Sequence, residues 1–164
     1  NIGCSSEYFA RIFNKSVVVS IEPEKENYNL LLENIISKNI AIGSIDSFVT
    51  IKESETHPND PRGFVTIIDE NKQSTILLSS VDSLLNEFNK IEYKPFMIKI
   101  DIEGFEEELF SNNTSWLDRF QVLIIEIHDW NLPRTANSSN LLKCLSGLDR
   151  DLIISGENLI SIKN

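Results

Sequence analysis

The stretch Pro95-Phe96-Met97-Ile98-Lys99-Ile100-Asp101-Ile102-Glu103-Gly104-Phe105-Glu106 decides how this chain is read. An apolar run, Phe96–Ile100, ends in an aspartate, Glu103-Gly104 breaks it, and Glu106, Glu107 and Glu108 follow on a helix-like segment. That order describes a buried strand turning into a helix. In open α/β sheets, ligands bind beyond the carboxyl ends of the strands, so a carboxylate at Asp101 faces a site. Acids in a first helical turn oppose the helix dipole favourably, and Glu106 and Glu107 receive that plain explanation. Asp101 and Glu103 have no helix to stabilise, so they are read as functional.

Outward from this stretch, the β-branched runs Ser16–Ile21 and Phe120–His128 alternate with helix-like segments at Ser5–Phe13, Lys25–Ser37, Val81–Asn89, Gly104–Phe110 and Asn140–Gly147. This alternation predicts an α/β fold in which three parallel strands are joined by crossover helices. Between the second and third helices, Phe48–Ile51, Phe64–Ile68 and Ser74–Leu78 predict a small antiparallel insertion. The tail, Leu152–Ile154 turning at Ser155-Gly156 into Leu159–Ile162, predicts a closing hairpin on one edge of the sheet. No repeat or long linker interrupts the chain, so a single domain over residues 1–164 is expected, long enough to bury a core.

Composition narrows the function classes. The 164 residues carry 15 Lys+Arg against 25 Asp+Glu, a net charge of −10, and basic residues never adjoin one another. A nucleic-acid partner needs a basic stripe and is excluded. Apolar runs such as Gln121–Ile127 fall far short of the roughly 20 residues that cross a bilayer, so no membrane span is expected. Cys4 and Cys144 are too few and too distant for a disulfide framework or zinc knuckle, and read as free thiols of a reducing cytoplasm. No charged segment followed by an apolar stretch opens the sequence, so nothing in it points to secretion. It opens on Asn1 and not on Met, and reads as a fragment.

Asn1-Ile2-Gly3-Cys4-Ser5 leads into the first helix, and the strand Val17–Ile21 ends at Glu22-Pro23, 22 − 3 = 19 positions after the glycine. In nucleotide-binding β-α-β units, an acid about 20 positions downstream accepts hydrogen bonds from the ribose diol. A strand-end glutamate also occurs as an ordinary solvated loop residue. Glu126 and His128 stand two apart, so their side chains leave the strand on one face, beside Asp101 if the strands are neighbours. His128 could take a proton from a hydroxyl, or could merely hydrogen-bond Glu126 or a loop carbonyl, and the residues leave both open. Trp130, in the loop after that strand, suits a substrate contact with Glu126. Trp116 suits the core, and His57 an exposed turn.

The segments Asn1-Ile2-Gly3, Val19–Pro23 with Asn27, Leu31 and Asn34, Val81–Leu85, Ile98–Glu106 and Ile125–His128 together resemble the FkbM-type methyltransferase family. The most specific piece is Lys99–Glu106, similar to that family's fourth-strand signature K-I-D-x-E-G-x-E. The resemblance runs from Asn1 to His128, with the final hairpin in place. It implies a Rossmann-like class I fold that binds S-adenosyl-L-methionine and methylates a hydroxyl oxygen of a sugar, glycan or natural product. It makes Asn1, Gly3, Glu22 and Asp101 cofactor contacts, with Asp101 at the junction of cofactor and acceptor. His128 then becomes the candidate base, with Asp101 and Glu103 as the other catalytic candidates. Two departures stand out. The family's first strand, with an acid and a further glycine, would lie before Asn1. The stretch holding its third strand is shortened to Ile35–Ile40, which leaves Asp46 as a substitute neighbour of the adenine.

Two rival readings accompany this one. Asp101, Glu103, Glu126 and His128 are also a ligand set for Mn²⁺ or Mg²⁺ in a hydrolase. A degenerate Rossmann-like module without catalysis is the other rival.

Overall fold

Short helices and short strands alternate at first, and a run of strands then separates the second helix from the third. In the computed structural model, residues 3–31, 35–53, 64–71, 74–88, 93–130 and 134–164 are described. The chain divides into two compact units, Asn1–Ile42 with Ser47–Leu78, and Gly43–Asp46 with Ser79–Asn164.

In the first unit, helix α1 (Cys4–Ile12) starts from Gly3 at φ +89°. A Cβ at that position would sit 2.9 Å from Leu31 Cδ2. The side-chain tip can move, but the left-handed backbone still demands glycine. Strand β1 (Val19–Ile21) is followed by α2 (Lys25–Tyr28), whose first turn is capped by the Glu24 carboxylate accepting from the Asn27 N–H at 2.7 Å. Strand β2 (Ile36–Lys38) then pairs parallel with β1, Val19 opposite Ile36 and Ile21 opposite Lys38, completing a β-α-β crossover. The single helix expected over Lys25–Ser37 is corrected here: it stops after one turn. The β-branched Ile35 and Ile36 lose rotamer freedom in a helix and suit a pleated strand, which β1 supplies with backbone partners.

Strands β3 (Ala41–Gly43), β4 (Ser47–Glu53), β5 (Phe64–Ile68) and β6 (Ile76–Ser80) form a four-stranded sheet in the order β3-β6-β4-β5. Strand β4 runs antiparallel to both β5 and β6, so the expected antiparallel insertion is present, with β3 as an unforeseen member.

The second unit contains α3 (Val81–Phe88), β7 (Met97–Ile100), the one-turn helix α4 (Glu106–Leu109), a 3₁₀ turn (Thr114–Arg119), β8 (Val122–Glu126), α5 (Ser139–Ser146), β9 (Arg150–Ser155) and β10 (Asn158–Lys163). Its sheet has the order β7-β8-β10-β9. Strands β7 and β8 are parallel, while β10 runs antiparallel between β8 and β9, so the closing hairpin lies on one edge as expected. Parallel pairing thus occurs within each unit, β1 with β2 and β7 with β8.

Strand β8 alternates, with Leu123 and Ile125 facing the core. Phe110, Trp116 and Phe120 form a buried ring cluster, with successive centroids 5.9 and 6.2 Å apart. The Arg150 guanidinium ties β9 into this unit, donating from Nε to Ser161 Oγ at 2.8 Å and from Nη1 to the Phe120 carbonyl at 3.0 Å. Asp46 holds the start of α3: one carboxylate oxygen accepts from the Ser80 N–H and the other from Ser83 Oγ, each at 2.6 Å. Those bonds keep its carboxyl below the usual range. No helix among the described residues is long and apolar enough to cross a membrane.

Candidate active site

Strands β7 and β8 lie side by side with Ile100 opposite Ile125, so the residues that follow each strand emerge at the same end. Lys99 and Asp101 share one face of β7, and Glu126 and His128 share one face at the end of β8. The four meet. Lys99 Nζ is 2.6 Å from Asp101 Oδ2 and 3.7 Å from Glu126 Oε2, while Asp101 Oδ1 and Glu126 Oε1 each lie 3.9 Å from His128 Nε2.

The chain leaves β7 through a strained turn. Glu103 has φ +53° and Gly104 φ +94°. Glycine tolerates that conformation, but at Glu103 it costs on the order of 1–2 kcal/mol. Such strain concentrates where function requires a particular chain path. Glu103 Oε2 lies 3.6 Å from His128 Nε2. Burial raises the Glu103 carboxyl above its usual range; the charges of Asp101 and Glu126 push the same way, and His128 opposes them.

His128 is only 2% exposed, and its hydrogen-bond partner is neither Glu126 nor a loop carbonyl but Glu106, with Nδ1 2.8 Å from Oε1. Its Nε2 faces the three other carboxylates at 3.6 to 3.9 Å, just beyond hydrogen-bond reach. Burial alone would lower the imidazole pKa, but the Glu106 hydrogen bond and the charges of Glu106, Glu103 and Asp101 together hold it above 6.5.

Glu106 is 1% exposed. Its Oε2 accepts from Asn137 Nδ2 at 2.6 Å, and its Oε1 also lies 3.4 Å from the Gly104 N–H. Asn137 in turn accepts the Glu107 N–H at 3.3 Å. The helix-dipole explanation for Glu106 is therefore corrected: α4 is a single turn with little dipole, and this carboxylate belongs to the histidine. No local pattern singles it out, since Glu106, Glu107 and Glu108 follow one another on a single helical turn. No local pattern points to Asn137.

Asp101, Glu103, Glu126 and His128 are thus brought together in the second unit. Trp130, two residues beyond His128, is 62% exposed. Glu22 ends β1 in the first unit and is 6% exposed; its Oε1 accepts the Glu24 N–H at 2.9 Å, and Asn39 Nδ2 donates to its carbonyl at 2.9 Å. Asn1 and His57 lie outside the described residues. Asp101, Glu126 and His128 offer donor atoms within 4.8 Å of one another, a spacing that could hold a cation. Lys99 already brings an ammonium to the two carboxylates of that group.

A parallel strand pair of an α/β fold thus ends in carboxylates gathered around a buried histidine. Residues 1–149 of the 164 match the Methyltransferase FkbM domain, and the chain belongs to this family of methyltransferases. The match ends one residue before β9. No curated protein and no solved structure matches the chain significantly.

Proposed function

We propose that this domain transfers the methyl group of S-adenosyl-L-methionine to a hydroxyl oxygen of a sugar, glycan or other small-molecule acceptor, on a Rossmann-like class I arrangement. One observation carries the proposal: a buried imidazole whose Nε2 is turned toward strand-end carboxylates, with no hydrogen bond occupying it among the described residues. When bound, the donor would supply an electrophilic methyl group, its C–S bond breaking with the electron pair passing to sulfur as the acceptor oxygen bonds to carbon, and His128 Nε2 would take up the hydroxyl proton. Holding donor and acceptor at near-attack distance contributes roughly 7–11 kcal/mol to lowering such a barrier.

Asp101 and Glu103 orient the acceptor hydroxyl beside His128, and Glu126 and Trp130 contact the rest of the acceptor. Gly3 and Glu22 recognise the cofactor, Glu22 as the ribose acid at the end of a β-α-β strand, and Asn1 joins them. Family membership supports methyl transfer over a metal-dependent hydrolase or a non-catalytic module.

The test is calorimetric titration with S-adenosyl-L-methionine, followed by incubation of the labelled donor with a panel of hydroxylated sugars and glycosides. Saturable binding and a methyl ether in the product are expected. Failure to bind the donor, or a methyl group on nitrogen or carbon, would overturn the reading.

A further inference from the structure

We propose that Glu106 is the positioning residue of His128, fixing which imidazole nitrogen is bare and where it points. The inference rests on the reading of His128 as proton acceptor.

The argument starts one residue away. The Glu107 N–H bonds to Asn137 Oδ1, which settles the orientation of that amide and turns its Nδ2 toward Glu106 Oε2 at 2.6 Å. Oε1 lies 2.8 Å from His128 Nδ1 and 3.4 Å from the Gly104 N–H. A carboxylate among donors only accepts, so the proton of the neutral imidazole sits on Nδ1 and Nε2 is bare. Without Glu106 the balance would reverse. Among the described residues, the other charged groups facing the ring are Asp101 after β7, Glu103 in the turn and Glu126 on β8, and all three lie at Nε2, with Lys99 tied to Asp101 and Glu126. Three carboxylates at Nε2 attract a proton there, and the closer contact of Glu106 at Nδ1 outweighs them.

Glu106→Gln makes the competition visible. Asn137 would still donate to position 106, so the new amide must offer it the carbonyl oxygen and turn its NH₂ toward Nδ1. That arrangement suits only the imidazole protonated at Nε2, the form that cannot take a proton from an acceptor.

The chain has two histidines, and His57→Asn leaves a single imidazole for ¹⁵N-resolved NMR. Above the titration midpoint, the wild-type ring should carry its proton on Nδ1. In Glu106→Gln the proton should move to Nε2 and the midpoint should fall toward 6.5. A wild-type ring protonated at Nε2 would overturn the proposal even if the variant did not fold, and so would an unchanged tautomer in a folded variant. Glu106→Asp, which keeps the charge, should restore the Nδ1 form in part. With a working acceptor, Glu106→Gln should lower kcat by roughly 10²-fold or more while donor affinity stays unchanged. The tautomer is read without donor or acceptor, so a chain that fails to bind S-adenosyl-L-methionine sinks the methyl-transfer reading and leaves this result intact.

Discussion

Lys99 and Asp101, two residues apart at the exit of β7, form an ion pair at 2.6 Å, and the same ammonium lies 3.7 Å from Glu126. One cation thus serves the outer oxygens of two strand-end carboxylates, while the inner oxygens of both face His128 at 3.9 Å. Lys99→Met would leave these partly buried carboxylates uncompensated. The expected loss is on the order of 1–3 kcal/mol, measured as a lower urea midpoint at neutral pH. An unchanged midpoint would mean that solvent already screens the cluster.

Stability and activity should respond to pH with opposite signs. The folded pKa of His128 is raised, so its contribution to stability is fully present below 6.5 and is lost as pH rises through the folded value. Glu103, a carboxyl whose pKa is also raised, acts in the same direction: the folded state holds its proton longer than the unfolded chain does, and stability falls as pH climbs above 4.5. With His128 as the proposed proton acceptor, methyl transfer should rise with pH, with a limb above 6.5. Denaturant titrations across pH 6 to 9 on wild type and His128→Gln should show the histidine component of the slope disappearing in the variant. An identical slope would remove His128 from the linkage.

With Glu22 as the proposed ribose acid, Glu22→Gln should weaken S-adenosyl-L-methionine binding by about 1.5–3 kcal/mol, because one acceptor for the diol becomes a donor. The amide can still accept the Glu24 N–H through its remaining oxygen, so the melting temperature should hardly move. Calorimetry paired with a thermal melt separates the two effects, and unaltered affinity would reduce Glu22 to a turn-capping acid.

Gly3→Ala should cost about 1–2 kcal/mol from the left-handed backbone alone. Adding Leu31→Ala relieves the 2.9 Å contact but not the backbone strain. The double variant, followed by amide exchange in α1, should therefore recover only the steric share; full recovery would locate the whole cost in Leu31.

Arg150 illustrates how much could be read before the structure and what could not. Its guanidinium reaches Ser161 and the carbonyl of Phe120, partners distant in sequence, and nothing local distinguishes it from a solvated arginine at the start of a strand. Asp101, Glu126 and His128 were legible because strand ends are marked by a change from apolar to charged residues, and alternation assigns the face. Glu106 was not, because a one-turn helix of three consecutive glutamates has no period to show which of them turns inward. The three-residue strands β2 and β3 are shorter than any window in which alternation can be told from helical spacing.

Arg150→Met should accordingly destabilise the chain by roughly 1–3 kcal/mol, since the carbonyls it serves lose their donors. Arg150→Lys should recover only part of that loss in chemical denaturation, because an ammonium cannot span the same fork of acceptors.

The antiparallel strand β10 has a consequence in time. It pairs Val122 with Ile162 and Glu126 with Asn158, and Ile127 donates to the Glu157 carbonyl in the hairpin turn. The strand carrying half of the site therefore waits for partners synthesised some 30 to 40 residues later, 158 − 126 = 32 and 162 − 122 = 40. Contacts of such separation close slowly, after the loop entropy has been overcome. On the ribosome, β7 and β8 emerge while one side of β8 is still an open edge, its hydrogen-bonding groups without a neighbour. His128 and Glu106 are both translated well before that edge can close, so the site is set in its final form only when the chain behind it has been made.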